Sequence, residues 1–281
     1  MIILPSSMTQ SQPVIKWYVG TIGFSYSDWR TVFYPVGMKP RGFLSYYSRV
    51  LDCVEIDTTF YGVPKVETVS RWAAETPSSF TFCIKTPRLV THEMGLVGAE
   101  GLMEEFVERI RPLGEKLGPI LIQMPPSFAA DRQAVLETFL SRLPQGVRYA
   151  IEVRSQSWYT AGGEGHRQLL RELLTQFNIA WVSIDFPGLP LAVNLTSDHL
   201  YIRWIGQHGS FAKHDHERVD RMSRLREWVS LIEKSKDRVH TIYGLFNNDY
   251  AGFAAGTAQR FKQLIGLPHV EPPRPIQGQL F

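Results

Sequence analysis

Cysteine is scarce in this sequence: only Cys53 and Cys83 occur among 281 residues. Both fall inside short apolar segments, which favours two buried free thiols in the reducing environment of a cytosol. Two isolated cysteines provide neither a disulfide framework nor the paired spacing of a zinc site. The composition therefore excludes the class of small secreted proteins that depend on disulfides for their stability.

Long apolar runs and a strong net charge are also missing. No segment approaches the roughly 20 consecutive apolar residues of a membrane-spanning helix, and Met1–Lys16 lacks the basic flank and apolar length of a signal peptide. We therefore expect a cytoplasmic protein with no membrane partner. The formal net charge of +3 permits an anionic partner, but no stripe of lysine and arginine marks an extended nucleic-acid surface.

The sequence does contain a regular alternation of short apolar runs and helical patterns. Each run is rich in β-branched and aromatic residues, which predicts a strand buried on both faces. The predicted strands are Trp17–Gly23, Cys53–Phe60, Thr81–Pro87, Pro119–Pro125, Arg148–Arg154, Ile179–Asp185, His199–Gly206 and Val239–Asn248. The predicted helices are Phe43–Leu51, Lys65–Glu75, Leu102–Leu117, Gln133–Leu143, His166–Phe177, Val219–Lys236 and Gly252–Ile265.

This order predicts right-handed parallel βαβ units that close into one (β/α)8 TIM barrel, an α/β fold with eight parallel strands inside a ring of helices. We expect the barrel to form a single domain over residues 17–268. Residues 1–16 would be a flexible lead-in, and residues 269–281 a proline-rich extended tail.

Most of the predicted strands end in a charged or amide side chain. Because side chains alternate across a strand, Val54 and Ile56 should face the helices and the polar residues around them should face the interior. The same alternation places nine polar residues inside the barrel: Glu55, Asp57, Lys85, Gln123, Glu152, Arg154, Asp185, Arg203 and Asn247. Burial of so many charges is costly, and barrels carry their active sites at this end. The set therefore predicts a functional pocket, the alternative being a structural network of paired charges.

Several of these residues lie in short segments that resemble a known family. The segments are Gly20-Thr21-Ile22-Gly23-Phe24 with Trp29, Val54-Glu55-Ile56-Asp57-Thr58-Thr59-Phe60-Tyr61, Lys85-Thr86-Pro87-Arg88 with Thr91-His92, Gln123-Met124-Pro125-Pro126, Glu152-Val153-Arg154 with Trp158, and Phe246-Asn247-Asn248-Asp249 with Gly252. Together they resemble the YecE-like family, also called domain of unknown function 72. The resemblance implies a TIM barrel related in shape to sugar isomerases and metal-dependent endonucleases, but no particular activity.

Metal-assisted hydrolysis is the first hypothesis for the chemistry. Glu152 and Asp185, together with Glu55, would supply oxygen ligands to a divalent metal ion, and His92 or His208 would add an imidazole. Such an ion would polarise a phosphoryl oxygen and activate water. This hypothesis predicts a hydrolase-like enzyme, with a divalent metal ion as its cofactor.

Two metal-free hypotheses use the same pocket. Glu55 and Glu152 could flank a sugar as the paired carboxylates of a carbohydrate-active enzyme. Alternatively, Lys85 could form a Schiff base with a carbonyl substrate, if its surroundings lowered its pKa. Because Glu55 lies on the adjacent strand, however, we expect Lys85 to be ion-paired and protonated.

The arginines at the strand ends indicate the class of ligand rather than the type of reaction. Guanidinium groups bind phosphate and carboxylate through two hydrogen bonds, so Arg88, Arg154 and Arg203 predict an anionic small molecule or a nucleic-acid-related ligand. Further residues are predicted to line the same site: the polar Gln123, Asn247 and Asp249, and the aromatic Tyr61 and Trp158.

A non-catalytic binding module is the competing class. The tail contains Gln277, Leu280 and Phe281 in the pattern Gln-x-x-Leu-Phe. This pattern resembles the peptide by which bacterial polymerases and repair proteins dock on the DNA sliding clamp, and it would link the protein to DNA repair. The alternative is that Leu280 and Phe281 pack on the barrel of their own chain.

Overall fold

The computed structural model describes residues 15–159 and 164–270. In this part of the chain, nine parallel strands form one nearly closed barrel with helices around it. The strands are β1 (Lys16–Ile22), β2 (Cys53–Ile56), β3 (Thr81–Lys85), β4 (Leu117–Gln123), β5 (Tyr149–Glu152), β6 (Ala180–Trp181), β7 (Ser183–Asp185), β8 (His199–Trp204) and β9 (Thr241–Phe246). Neighbouring strands pair in the order β6-β5-β4-β3-β2-β1-β9-β8-β7.

The α-helices of the described residues cover the outside of the barrel. They are α1 (Phe43–Val50), α2 (Val66–Ala74), α3 (Glu100–Ile110), α4 (Gln133–Leu140), α5 (Glu164–Gln176), α6 (Met222–Glu233), α7 (Asn248–Ala251) and α8 (Ala254–Leu264). In α3, the buried residues Met103, Phe106, Val107 and Ile110 recur at helical spacing, so one apolar stripe faces the strands. None of these helices combines the length and apolar character needed to cross a bilayer.

The prediction of eight strands is wrong in one place, because the sixth predicted strand is divided at Val182. Its first half, β6, pairs with β5, and its second half, β7, pairs with β8. The hydroxyl of Thr196 accepts a hydrogen bond from the backbone N–H of Trp181 at 2.8 Å and donates to the carbonyl of Ile179 at 2.7 Å. These two backbone groups point away from β5, towards the side on which the next strand would pair. Because Thr196 binds them, β6 does not pair with β8.

Several predicted boundaries also differ; for example, β2 ends at Ile56 rather than Phe60 and α6 spans Met222–Glu233 rather than Val219–Lys236. Helix α3 ends at Ile110 rather than Leu117, since Pro112 cannot continue the helical hydrogen bonds and Leu117 already belongs to β4. At the amino end, β1 begins at Lys16, the last residue of the predicted lead-in. Residues 1–14 and 271–281 lie outside the described residues, and so do Gln277, Leu280 and Phe281 of the tail prediction.

The core has two layers, one inside the barrel and one between the barrel and the helices. The inner layer is formed by Ile22, Cys53, Cys83, Leu121, Ala150, Ala180, Val182, Ile184, Tyr201, Ile205, Tyr243 and Leu245. Both cysteines are free and buried here, as predicted. This apolar layer fills the middle of the barrel, and polar side chains follow it at the carboxyl ends of the strands.

Strand register shows which face of the sheet some of these polar side chains share. Ile22 on β1 lies opposite Glu55 on β2, and Gln123 on β4 lies opposite Glu152 on β5. Partners in a parallel ladder point to the same face of the sheet. The register therefore turns Glu55 into the barrel together with Ile22, and Gln123 and Glu152 to the same face as each other.

Candidate functional site

The charged residues at the mouth of the barrel meet around one guanidinium group. Arg203 on β8 donates from Nε and Nη2 to the two oxygens of Glu55, at 3.0 and 2.7 Å. Its Nη1 donates to Oε2 of Glu152. These three side chains are almost fully buried, and the hydroxyl of Tyr201 also donates to Glu55, at 2.9 Å. One guanidinium group therefore joins strands β2, β5 and β8.

The second oxygen of Glu152 is engaged as well, because Arg154 donates to it from Nε at 2.5 Å. Burial opposes the ionisation of Glu152, but the charges and hydrogen bonds of Arg203 and Arg154 outweigh it and lower its pKa to about 2. Burial also opposes the ionisation of Arg203, which by itself would lower its pKa. Glu152 and Glu55 outweigh this effect and raise the pKa of Arg203 above the ordinary arginine value. Glu152 and Arg203 are therefore both held in their charged forms.

Lys85 at the end of β3 is the cation that this network leaves out. In the described residues its ammonium group has no carboxylate partner and makes no hydrogen bond; instead, Nζ lies 4.1 Å from the centre of the Phe60 ring. The predicted ion pair with Glu55 does not form, because Arg203 occupies both oxygens of Glu55. Burial, together with the charges of Arg203 and Arg154, lowers the pKa of Lys85 to about 8, although Glu55 and Glu152 act in the opposite direction.

His92 lies beside this lysine, whereas Arg88 lies at the surface. The imidazole of His92 contacts the edge of the Phe60 ring at 4.9 Å, and its Nδ1 shares a hydrogen bond with the Thr91 hydroxyl at 2.8 Å. Burial and the positive charges of Lys85, Arg88 and Arg154 lower the pKa of His92, which favours the neutral imidazole. The exposed side chain of Arg88 forms an ion pair with Glu93 at 3.6 Å.

Asp185 does not face the barrel interior, so the prediction of its orientation is wrong. Its Oδ2 accepts hydrogen bonds from Arg224 at 3.0 Å, from Trp228 at 2.8 Å and from Tyr250 at 3.2 Å. These partners lie on α6 and α7, in the outer layer. The side chain that β7 turns inward is Ile184. Asp185 therefore links the barrel to its helices and does not join the charges at the mouth.

The residues predicted to hold a metal ion do not come together. Both oxygens of Glu152 are engaged by arginines, and Asp185 faces the other side of the strand. His208 is 99% exposed and its Nδ1 lies 3.2 Å from Asp249. The part of the chain described here contains no group of three histidine, cysteine, aspartate or glutamate residues suited to a metal ion. These donors do not fit the divalent ion of the hydrolysis hypothesis.

The other polar residues predicted to bind a ligand have local roles at the same mouth. Gln123 is buried and donates to the carbonyl of Met124 at 3.1 Å. Asn247 caps the amino end of α7 by accepting a hydrogen bond from the N–H of Asp249 at 2.9 Å. Asp249 in turn accepts from the N–H of Gly209 at 3.1 Å. Each therefore shapes the loops around the mouth.

The two aromatic predictions differ in outcome. Trp158 is fully buried and its indole N–H donates to the carbonyl of Phe128 at 2.8 Å. It is a core residue, which the sequence could not distinguish from an aromatic residue lining the site. Tyr61 is 83% exposed and meets the edge of Phe60 at 5.3 Å. Of the two, only Tyr61 can contact a ligand at the rim.

One group at the mouth, Tyr201, was missed by the sequence reasoning, and a second, His214, stood out only as part of a His-x-His pair with His216 in a charged loop. Tyr201 precedes Arg203 by two residues, so the same alternation would have placed it inside. His214 stands between two carboxylates, with Nε2 3.4 Å from Asp249 and Nδ1 3.9 Å from Asp28. These contacts are made by loops far apart in the sequence, and the local pattern gave no signal for them.

The arrangement leaves an excess of positive charge at the mouth. Three cations (Lys85, Arg154 and Arg203) face two buried carboxylates (Glu55 and Glu152), and only the arginines are paired with them. Arg154 uses Nε alone for Glu152, and within the described residues its terminal nitrogens make no hydrogen bond. The unpaired donors of Lys85 and Arg154 can therefore hold an anion, while neutral His92 beside them can accept a proton.

Comparison with known proteins shows which family this chain resembles, but the matching descriptions name no activity. A family model described as "Protein of unknown function DUF72" matches residues 18–279. The UPF0759 protein YecE of Escherichia coli (strain K12) is 32% identical over 183 residues, which are 58% of this chain and 66% of that protein, slightly under two thirds of its length. The UPF0759 protein YunF of Bacillus subtilis (strain 168) is 23% identical over 277 residues, or 90% of this chain and 95% of that protein.

Solved structures show the same fold. A DUF72 family protein from Thermotoga maritima MSB8 superposes with a TM-score of 0.72 at 31% identity, covering 89% of this chain and 99% of that one. A DUF72 family protein from Enterococcus faecalis V583 gives a TM-score of 0.73 at 22% identity, covering 91% and 100%; that likeness concerns the fold alone. The resemblance inferred from the sequence segments is thus confirmed.

The ion network can be tested through stability. Glu152→Gln should lower the free energy of unfolding by about 3–5 kcal/mol, because it removes the carboxylate that Arg203 and Arg154 share and leaves one buried carboxylate, Glu55, for the two cations. Urea denaturation measures this loss, and Glu104→Gln on the exposed face of α3 is the matched control, with a change within about 0.5 kcal/mol.

The stability that Glu152→Gln loses relative to the wild type should become smaller at low pH. Since the pKa of Glu152 is lowered from 4.5 to about 2 in the folded protein, its contribution is fully present above about pH 4.5 and disappears as the pH falls towards 2. The gap between wild type and Glu152→Gln should therefore narrow only below about pH 4.5. Equal effects of the Glu152 and Glu104 substitutions would contradict the network.

Proposed function

We propose, for a chain that belongs to the DUF72 family of proteins of unknown function, that the mouth of its barrel binds a phosphorylated or carboxylated small molecule. The observation that carries the proposal is Lys85, a half-buried ammonium group without a carboxylate partner in the described residues. A buried charge is stable only when it is paired or hydrogen-bonded. An anionic ligand would supply the missing partner.

The arrangement of the remaining donors supports this ligand class. Arg154 is held in place by its Nε bond to Glu152 and by the Phe186 ring, whose centre lies 5.0 Å from the guanidinium carbon. Its free terminal nitrogens form the fork that suits phosphate or carboxylate oxygens. Lys85 would add a point charge. Arg203 already donates from all three of its nitrogens to the two glutamates and would act by positioning them.

We further propose that the ligand is a substrate, and that the protein is a hydrolase-like enzyme acting without the predicted metal site. The pKa of Lys85, about 8, leaves a fraction of the amine neutral at pH 7, and burial together with the surrounding cations lowers the pKa of His92 beside it, which favours the neutral imidazole. Either group can accept a proton from an attacking water. The same lysine properties suit Schiff-base formation with an anionic carbonyl substrate.

The carbohydrate hypothesis gains less support from this geometry. Paired-carboxylate glycosidases need a carboxylic acid of raised pKa and room for a sugar between the two groups. Glu55 and Glu152 instead bind the same guanidinium group, and the pKa of Glu152 is lowered. We therefore assign both glutamates a positioning role.

Anion binding predicts a ligand-dependent gain in thermal stability. Sulfate should raise the melting temperature of the wild type, adding about 2.7 kcal/mol at 100 times its Kd. Lys85→Met should remove this gain, whereas Lys65→Met, at an exposed position before α2, should retain it together with any nonspecific salt effect. Because a bound anion stabilises the charged ammonium group, the gain should shrink as the pH rises above about 8. An equal shift in Lys85→Met would contradict the proposal.

A second proposal concerns a partner and rests on the sequence of the tail. The spacing of Gln277, Leu280 and Phe281 matches a peptide that fills an apolar pocket on a sliding clamp. Such docking would bring the barrel to DNA as a binding module linked to repair, whether or not its mouth carries out a reaction.

The tail proposal is tested with a peptide. A fluorescent peptide covering residues 272–281 should bind a purified bacterial sliding clamp with a micromolar Kd, measured by fluorescence anisotropy. Replacing Leu280 and Phe281 with alanine should abolish binding, because both apolar anchors are lost. A peptide with Arg274→Ala keeps the motif and should bind normally. Absence of binding by the native peptide would contradict this link to DNA.

A further inference from the structure

A second pocket opens beside the barrel mouth, between the carboxyl ends of β1 and β2 and helix α2. It encloses about 290 Å³, close to the lower end of the roughly 300–1,000 Å³ range of small-molecule sites. Its walls are Gly23, Phe24, Ser25, Tyr26, Ile56, Asp57, Thr58 and Trp72. Three of these residues are aromatic, one is acidic and none is basic.

Asp57 is the single charged residue of this pocket. Its side chain is half-buried, and within the described residues its carboxylate makes neither an ion pair nor a hydrogen bond. Glu55, two residues earlier on the same strand, is in contrast fully engaged by Arg203 and Tyr201. A partly desolvated carboxylate without a donor is unfavourable, so this pocket offers an unused acceptor.

Hydrogen bonds and ring contacts fix the aromatic residues of the pocket, and each of these side chains keeps some exposed surface. Tyr26 donates its hydroxyl to the carbonyl of Ile22 at 2.6 Å and packs on Trp29 at 4.8 Å. Trp72 stacks on Phe82 at 6.2 Å. Both, like Phe24, remain only half-buried. The aromatic surface is thus part of a preformed wall.

The electrostatic surroundings of the pocket are negative. After burial, the carboxylates of Asp57, Glu55 and Asp249 are the groups that raise the pKa of the Tyr26 hydroxyl. This side of the mouth therefore differs from the side of Lys85 and Arg154, where positive charge is in excess. Aromatic faces combined with a carboxylate are the surroundings in which ammonium groups are bound, because the ring quadrupole and the negative charge both attract a cation.

We propose that this pocket binds a small organic cation with an ammonium head group, held between the carboxylate of Asp57 and the rings of Phe24, Tyr26 and Trp72. The site is separate from the anion site, and the proposal does not depend on it. The cation is either a quaternary or a primary ammonium compound: the rings favour the former, and a hydrogen bond to Asp57 favours the latter.

Isothermal titration of the full chain with two cations and one neutral compound tests this proposal. Choline represents the quaternary ammonium ion, n-butylammonium the primary one, and 3,3-dimethyl-1-butanol is the neutral compound with the shape of choline. At least one of the cations should bind ten times or more tighter than the neutral alcohol. The tighter of the two identifies the head group.

Two variants locate the site. Asp57→Asn keeps the shape of the side chain but removes its charge, and should weaken cation binding to the level of the neutral alcohol. Asp131→Asn makes the same change at an exposed position after β4 and should bind the cation as the wild type does. Circular dichroism confirms that both variants are folded. The proposal is overturned if neither cation binds better than the alcohol, or if Asp57→Asn binds them unchanged.

Discussion

The hydrogen bonds from Arg203 to Glu55 and Glu152 are the interaction on which the mouth of this barrel depends. Each of these groups would be strongly unfavourable if buried alone. Together they satisfy one another, because one planar guanidinium group reaches a carboxylate on β2 and another on β5. The apolar inner layer beneath them excludes water from below. Arg203, Glu55 and Glu152 can therefore all be buried at the carboxyl ends of the strands with each charge paired.

This pairing also decides which chemistry is open to the site. Both glutamates are occupied, so neither offers the free oxygen atoms of a metal ligand, and the pKa of Glu152 is lowered, whereas a general acid needs a raised one. The charge that remains is positive and belongs to Lys85, whose pKa is lowered to about 8 by burial and by the charge of Arg203. The same network that removes the carboxylates from catalysis thus creates an anion site beside them. In the pocket beside the mouth, Asp57 gives the opposite polarity, so the two sites suit groups of opposite charge.

The fold and much of the site could be predicted from alternation along the strands. Glu55, Glu152 and Arg203 face inward as expected, because their strands place apolar residues consistently on the outer face. The partners within the network were not predictable: the pairing of Lys85 with Glu55 was inferred from adjacency, but Arg203, much later in the chain, provides the better geometry. Local sequence cannot rank two cations that compete for one carboxylate.

Asp185 shows the limit of the alternation argument. Its strand is apolar on both faces, with Ile184 and Trp181 on opposite sides, so the acidic residue alone suggested which face was inward. The decisive partners are Arg224 and Trp228, which lie on a helix that follows the next strand. The division of the strand at Val182 was hidden for the same reason, because Thr196 replaces strand pairing with a side chain from a loop.

Direct titration of the Lys85 amine tests the central claim, that the ion network leaves this cation unpaired for an anionic ligand. Carbon-13 methylation of the lysines, with Lys85→Met to assign the signal, allows its pKa to be followed by NMR. We expect a pKa of about 8 in the free protein and a higher value once sulfate or phosphate is bound. An ordinary value near 10.5 in the free protein, or no response to either anion, would contradict it.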